Sequence, residues 1–164
     1  MKVLLVYPKD SSTFWSFKYA LRFIFKKANS PPLGLLTVAA LLPKDWEKRL
    51  IDMNVSTLTD EDIKWADFVF ISAISIHRNS VKSVIAKCRK IGVKIVAGGP
   101  LFTTGYKEFK GVDYFVLNEA EITLPLFLED LKRGHPRHIY TSNKWADIKK
   151  TPIPLWRLIK TVSY

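Results

Sequence analysis

The chain has 164 residues with 48% hydrophobic content, which is enough for one domain with a substantial core and too little for two. Its single cysteine, Cys88, excludes a disulfide framework and a cysteine metal cluster within these residues, and favours a reducing compartment. No signal segment and no apolar run near the ~20 residues of a membrane span is present, so we expect a soluble, cytoplasmic protein. The formal net charge of +11 favours anionic partners, but no base-recognition motif accompanies it, so we expect no specific nucleic-acid partner.

Short apolar runs alternate with amphipathic segments, which is the pattern of a parallel sheet wrapped by helices. Strands are predicted over residues 2–7, 49–53, 68–75, 93–97 and 114–117, and helices over residues 33–42, 59–65, 78–91 and 121–133. Thr59 is a candidate cap for the second helix, and Gly92 is expected to end the third. The predicted fold is therefore α/β: a Rossmann-like, flavodoxin-like doubly wound sheet of five parallel strands flanked by helices.

Residues 10–30 form a longer connection than a first strand and its helix normally need. Aromatic and basic side chains alternate there, including Phe14, Trp15 and Phe17. Four interpretations stay open: a helix whose aromatic face joins the core, a lid over a flat ligand, a docking face for another domain, or a basic helix lying on a membrane surface.

The candidate site residues follow the predicted strands, because doubly wound sheets bind ligands at the carboxyl ends of their strands. These residues are Asp10 after the first strand, Ser72 and Ser75 in the third, Gly98, Gly99 and Pro100 after the fourth, and Glu119 after the fifth. Ser72 and Ser75 are expected to project to the same sheet face, and the two glycines let a ligand approach the backbone. Each residue also has a structural interpretation: a core serine, a tight turn or a surface carboxylate. Glu121 is expected to cap the last helix.

Several ligand classes are disfavoured by what these turns lack. No Gly-x-Gly-x-x-Gly fingerprint follows the first strand, which argues against NAD and FAD, and there is no Walker phosphate loop. A hydroxyl-rich stretch beginning at Asp10 keeps a flavodoxin-like FMN site open as an alternative. His77, His135 and His138 are too scattered for a metal site or a catalytic pair, so we expect structural roles for them.

Five blocks of the chain, over residues 13–21, 31–43, 97–104, 116–121 and 151–156, together resemble the amino-terminal domain of cobalamin-binding radical SAM proteins, in particular the subgroup that includes the hopanoid methylases. The resemblance implies that residues 1–140 bind cobalamin in the base-off form and that residues 141–164 lead toward a radical SAM domain. The cofactor-binding residues that it implies are Asp10, Ser12, Trp15, Ser72, Ser75, Gly98, Gly99, Pro100 and Glu119.

The sequence departs from related domains in two ways. Mutases and methionine synthase carry Asp-x-His-x-x-Gly after the first strand, whereas in this chain Ser12 and Trp15 stand at the positions of the His and the Gly. No axial histidine is therefore expected there, and His77 after the third strand is a disfavoured replacement as cobalt ligand. The Cys-x-x-x-Cys-x-x-Cys motif of an iron–sulfur cluster is absent, so the chain alone is expected to carry cobalamin without catalysis. The implied reaction of the full-length protein, with SAM and a [4Fe-4S] cluster, is methyl transfer to an unactivated carbon. A ligand-free protein-interaction module of the same fold is the alternative.

Overall fold

A computed structural model describes residues 1–11, 21, 23, 25–160 and 163–164. Its strands are β1 (Lys2–Tyr7), β2 (Glu47–Asp52), β3 (Phe68–Ser72), β4 (Lys94–Gly98), β5 (Tyr114–Val116) and β6 (Ile139–Tyr140). Its helices are α1 (Leu33–Leu41), α2 (Asp60–Trp65), α3 (Arg78–Ile91), α4 (Pro100–Gly105) and α5 (Ala120–Lys132). Each predicted strand and helix is present, with ends that differ from the expected ones by at most three residues.

The strands form one parallel sheet in the order β2-β1-β3-β4-β5-β6. The prediction of five strands was wrong, because β6 adds a sixth at the edge. It pairs with β5 through a bond of 2.8 Å from the Phe115 N–H to the His138 carbonyl and one of 2.9 Å from the Leu117 N–H to the Tyr140 carbonyl. Two residues carry no periodicity of their own, so only their pairing with β5 defines this strand.

Helices cover both faces of the sheet, as the doubly wound prediction requires. Alternate residues of β1 point to opposite sides: Leu4 and Val6 join the core under α2, α3 and α4, whereas Val3 and Leu5 join the core under α1 and α5. All four are completely buried, which explains why this strand is apolar on both faces.

Local signals at the helix ends act as the sequence predicts. The Thr59 N–H donates to the Asp62 carboxylate over 3.0 Å, and the Thr59 hydroxyl accepts from the Asp62 N–H over 3.2 Å, which forms a capping box. Gly92 ends α3 with a φ of 87°, a left-handed conformation that favours glycine. These bonds satisfy backbone groups that a helix end would otherwise leave without partners.

The connection after β1 is described only in part. Residues 12–20, 22 and 24, and with them the aromatic Phe14, Trp15 and Phe17, lie outside the described residues. Phe23 and Phe25 are described and are 85% and 92% exposed, so neither joins the core. Across the part of the chain that is described, no helix is both long enough and apolar enough to cross a membrane.

The segment after β6 packs on the domain. The Leu155 N–H donates to the Leu36 carbonyl of α1 over 3.1 Å, and the side chains of Leu155 and Leu158 contact the core under α1 and α5. Tyr164 reaches the end of β2, where its hydroxyl donates to Asp52 over 3.1 Å.

Candidate functional site

A cavity of about 250 Å³ lies between α1, α5 and the carboxyl ends of β3, β4 and β5. Phe70, Val96 and Val116 of the sheet face into it, beneath apolar parts of the two helices. The polar residues that line it are Thr37, Ser72, Asn118, Glu119 and Glu121. An apolar interior with a few polar groups is typical of small-molecule sites, and the carboxyl end of a doubly wound sheet is where such sites occur.

The cavity brings together most of the predicted site residues that are described. Those that line it are Ser72, Gly98, Gly99, Pro100 and Glu119. Asp10 follows β1 and lies outside the cavity lining, and Ser12 and Trp15 lie outside the described residues. The five residues that line the cavity therefore share one surface, and Asp10 does not belong to it.

The prediction that Ser72 and Ser75 share a sheet face was wrong. β3 ends at Ser72, and Ser75 begins a 3-10 turn that runs to His77. Ser75 is exposed and does not line the cavity, whereas Ser72 does. Even an uninterrupted strand would place residues three apart on opposite faces, because side chains alternate along a strand.

The two glycines after β4 allow neighbouring backbones to lie close together. Gly99 has a φ of 88°, and a Cβ there would lie 2.8 Å from the Ser72 Oγ and 3.1 Å from both the N and the O of Ala73. A Cβ on Gly98 would lie 2.6 Å from the carbonyl oxygen of Val116 in β5. Both residues are thus required by the tight turn itself, and their contact with a ligand stays a prediction.

The turn after β5 is held by Asn118, whose φ of 62° is unusual for a residue other than glycine. Its N–H donates to the Thr103 hydroxyl over 3.0 Å, and its Nδ2 donates to the Ser142 carbonyl over 2.7 Å and to the Thr141 hydroxyl over 3.1 Å. Sequence reasoning missed this role, although an asparagine directly after a strand is a turn signal. Asn118 thereby fixes the position at which Glu119 and α5 begin.

The two glutamates after β5 differ in their contacts. The Glu119 backbone carbonyl accepts from the Ile122 and Thr123 N–H groups, and its carboxylate has no hydrogen bond with any described residue. Glu119 also borders a second, more open cleft of about 480 Å³ beside Trp145. The expected capping role of Glu121 was wrong, because its carboxylate instead accepts from the Thr151 hydroxyl over 3.1 Å.

Asp10 and His77 form a pair between the ends of β1 and β3. The imidazole of His77 is fully buried, and its Nε2 lies 2.6 Å from Oδ1 of Asp10. Its Nδ1 accepts from the Ile74 N–H over 3.2 Å, so the proton is on Nε2 and is donated to Asp10. Both ring nitrogens are therefore engaged, which argues against His77 as a metal ligand.

The carboxylate of Asp52, which is buried whereas that of Asp10 is partly exposed, anchors the same edge at the end of β2. It accepts from the Asn54 N–H over 2.8 Å and from the Tyr164 hydroxyl over 3.1 Å, while burial raises its pKa. Burial and the nearby Asp52 also raise the pKa of Tyr164. Asn54 accepts in turn from the Asp10 N–H over 2.9 Å, so a chain of hydrogen bonds joins the ends of β2, β1 and β3. Among the described residues no three His, Cys, Asp or Glu side chains gather as a metal site.

The parallel sheet, its reversed strand order and the cavity at its carboxyl edge define a ligand-binding domain of the doubly wound class. Residues 27–128 match the sequence model of the B12 binding domain, and the chain belongs to that family. The resemblance predicted from the sequence is thereby confirmed.

Two curated relatives align with essentially the whole chain. It is 39% identical over 166 residues to an uncharacterized methyltransferase of Synechocystis sp., covering 100% of this chain and 31% of that protein. It is 26% identical over 168 residues to a hopanoid C-2 methylase of Rhodopseudomonas palustris, covering 99% of this chain and 32% of that protein. The chain thus spans about a third of the length of the curated relatives that it matches.

Proposed function

We propose that this chain holds cobalamin with the nucleotide tail inside the cavity under α1 and α5, and with the corrin ring outside, against the carboxyl edge of the sheet. The observation that carries the proposal is the position and lining of that cavity in a member of the B12 binding domain family. Gly98 and Gly99 border it without side chains, and Phe70, Val96 and Leu124 provide apolar walls for an aromatic base.

The size of the cavity supports this division of the ligand. Its volume of about 250 Å³ lies below the ~300–1,000 Å³ of pockets that enclose a whole drug-sized molecule. It suits one flat base and leaves the much larger corrin ring at the surface. Glu119 and Ser72 line the same cavity, where a carboxylate and a hydroxyl can accept hydrogen bonds from the ribose of the tail.

The base-off form follows from this placement, because a base held inside the domain is not a ligand of the cobalt. The described histidines offer no replacement. Both nitrogens of His77 are engaged. His135 and His138 come before β6, so they lie toward the amino ends of the strands, away from the carboxyl ends where the cavity opens. We therefore propose that the described residues give the cobalt no imidazole ligand.

For the full-length protein we propose a radical SAM methyltransferase that acts on an unactivated carbon and uses SAM and a [4Fe-4S] cluster. Residues 1–140 are the cobalamin domain in this proposal, and residues 141–164 lead to the radical domain. The names of the two relatives and their threefold greater length support it. Bound cobalamin supplies a cobalt ion that carries the methyl group, and this chain binds and orients the cofactor.

The test is a titration of the chain with hydroxocobalamin, followed by gel filtration and a visible absorption spectrum. Gly34 lines the cavity, and a Cβ there meets nothing within 4 Å, so Gly34→Trp is designed to place a bulky ring at the cavity from a position that accepts a side chain. Thr37→Phe, one turn further along α1, is a second variant that narrows the cavity. Gly34→Ala is the matched control at the same position. Ala86→Trp is a second control, which adds the same ring to the solvent-exposed side of α3, a helix that covers the opposite face of the sheet.

We expect the native chain and both controls to retain corrinoid with a base-off spectrum, and both cavity-narrowing variants to bind at least tenfold more weakly. Failure of the native chain to retain corrinoid would contradict the proposal for this chain. Retention by both cavity-narrowing variants at native affinity would contradict the location of the tail.

A further inference from the structure

We propose that Asp10 accepts hydrogen bonds from amide groups on the rim of the corrin ring, and that His77 is the residue that positions it. The inference rests on the proposed cobalamin function and adds a contact outside the cavity that receives the tail. It gives a role to a carboxylate and a histidine that lie 67 positions apart in the sequence.

The first support is the place of the pair in the fold. The strand order reverses between β1 and β3, and open α/β sheets bind their ligands in the crevice at that reversal. Asp10 follows β1 and His77 lies beyond β3, so their hydrogen bond of 2.6 Å spans this crevice. A second bond spans it as well, from the Lys9 N–H to the Ser80 hydroxyl over 2.9 Å.

The second support is the state of the Asp10 carboxylate. His77 holds Oδ1 from a fully buried position, whereas the Asp10 side chain is 41% exposed. Its second oxygen, Oδ2, has no hydrogen bond with any described residue, and in this proposal it is the atom that meets the ligand. A carboxylate accepts hydrogen bonds only, and the acetamide and propionamide groups around a corrin ring supply N–H donors.

The third support is that the carboxylate is fixed before any ligand arrives. The Asp10 N–H donates to Oδ1 of Asn54 over 2.9 Å, and the Asn54 Nδ2 donates to the buried Asp52 over 3.0 Å. Asp10 is thus held through its backbone from the β2 side and through its side chain from the β3 side. Groups fixed in this way bind more tightly, because binding does not have to order them.

The ring contact can be separated from the tail contact with dicyanocobinamide, a corrinoid that lacks the nucleotide tail. We expect Asp10→Ala to weaken both cobalamin and cobinamide at least tenfold, the usual effect of losing a hydrogen bond to a charged group. Gly34→Trp is expected to weaken cobalamin alone. Glu61→Ala removes an exposed carboxylate from α2 and controls for the change in net charge. Affinities are measured by equilibrium dialysis against each ligand.

His77 is tested through its dependence on Asp10. His77→Phe removes the donor and is expected to weaken cobinamide binding in the native chain but to have no further effect in Asp10→Ala. His77→Gln retains an N–H donor and is expected to restore most of the affinity. Urea unfolding of each variant checks that the fold is kept.

The outcomes separate the two proposals. If the native chain binds neither corrinoid, the proposed function fails. If it binds cobalamin but not cobinamide, or if Asp10→Ala binds cobinamide as tightly as the native chain does, the ring contact is overturned. If His77→Phe lowers the cobinamide affinity equally in the native chain and in Asp10→Ala, the positioning role of His77 is overturned.

Discussion

The turn that closes β4 gives a sharp test of the fold at the candidate site. Gly99→Ala places a Cβ 3.1 Å from two backbone atoms of Ala73 and 2.8 Å from the Ser72 Oγ. The serine side chain can rotate away, but the backbone of Ala73 follows β3 directly and cannot move without the sheet. The φ of 88° adds strain that glycine does not have.

The magnitude follows from two contributions. A side chain in the left-handed region costs about 1–2 kcal/mol, and forcing a methyl group into packed surroundings costs about 1–3 kcal/mol. Gly99→Ala should therefore lower the free energy of unfolding by about 2–5 kcal/mol. Gly134 and Gly92 have similar φ values of 81° and 87° with nothing within 4 Å, so alanine there should cost only the strain.

Urea unfolding of the three alanine variants, with thermal melting as a second measure, isolates the contact with β3. Each kcal/mol corresponds to about 2–4 °C in Tm for a domain somewhat over 150 residues. If Gly99→Ala is no less stable than Gly134→Ala and Gly92→Ala, the close approach of the turn to Ala73 is not what requires glycine there.

Three further predictions concern buried groups away from the cavity. The Tyr140 hydroxyl accepts from the Arg137 N–H over 2.7 Å and donates to Asp130 over 3.0 Å, so Tyr140→Phe should cost about 1–3 kcal/mol in urea unfolding; a loss within error of zero would refute these bonds as anchors of β6. Burial raises the pKa of Cys88 to about 12, so its thiol should react with a disulfide reagent at pH 8 only once urea unfolds the chain, and fast reaction of the native chain would contradict this. Burial raises the pKa of Asp52 in the folded state above its ordinary value of 3.8, so the folded state binds the proton more tightly than the unfolded state does. The free energy of unfolding should therefore fall as the pH rises from the unfolded-state pKa to the folded-state pKa. Asp52→Asn should remove this fall, so from pH 3 to pH 7 the urea midpoint of the variant should rise relative to that of the native chain. A difference between the two midpoints that stays constant over this range would argue against the raised pKa.

Much of the fold could be predicted because local and tertiary signals agree. The apolar run of β1 and the helical spacing of α3 before Gly92 each define an element with the observed bounds. β6 could not be predicted, because two residues have no periodicity and are a strand only through pairing with β5. Ser75 was misplaced because residues three apart project to opposite faces of a strand, and because β3 ends at Ser72.

The candidate site was predictable in part for a similar reason. Turns that follow strands can be found in the sequence, and those after β3, β4 and β5 do meet at one cavity. The pairing of Asp10 with His77 was not predicted, because the two residues lie 67 positions apart and no motif links them, although a flavodoxin-like sheet places its first and third strands side by side. Once β1 and β3 are known to be neighbours, a histidine soon after one strand and an aspartate soon after the other become an obvious pair.

The hydrogen bonds that run from Tyr164 through Asp52 and Asn54 to Asp10 and His77 have a consequence for exchange dynamics. We expect the loops after β2, β1 and β3 to open together, since releasing one member removes the acceptor or donor of the next. The Asn54 and Asp10 amides should therefore exchange with deuterium at similar rates, and in Asp52→Ala both should speed up together. Such an edge would act as one cooperative unit.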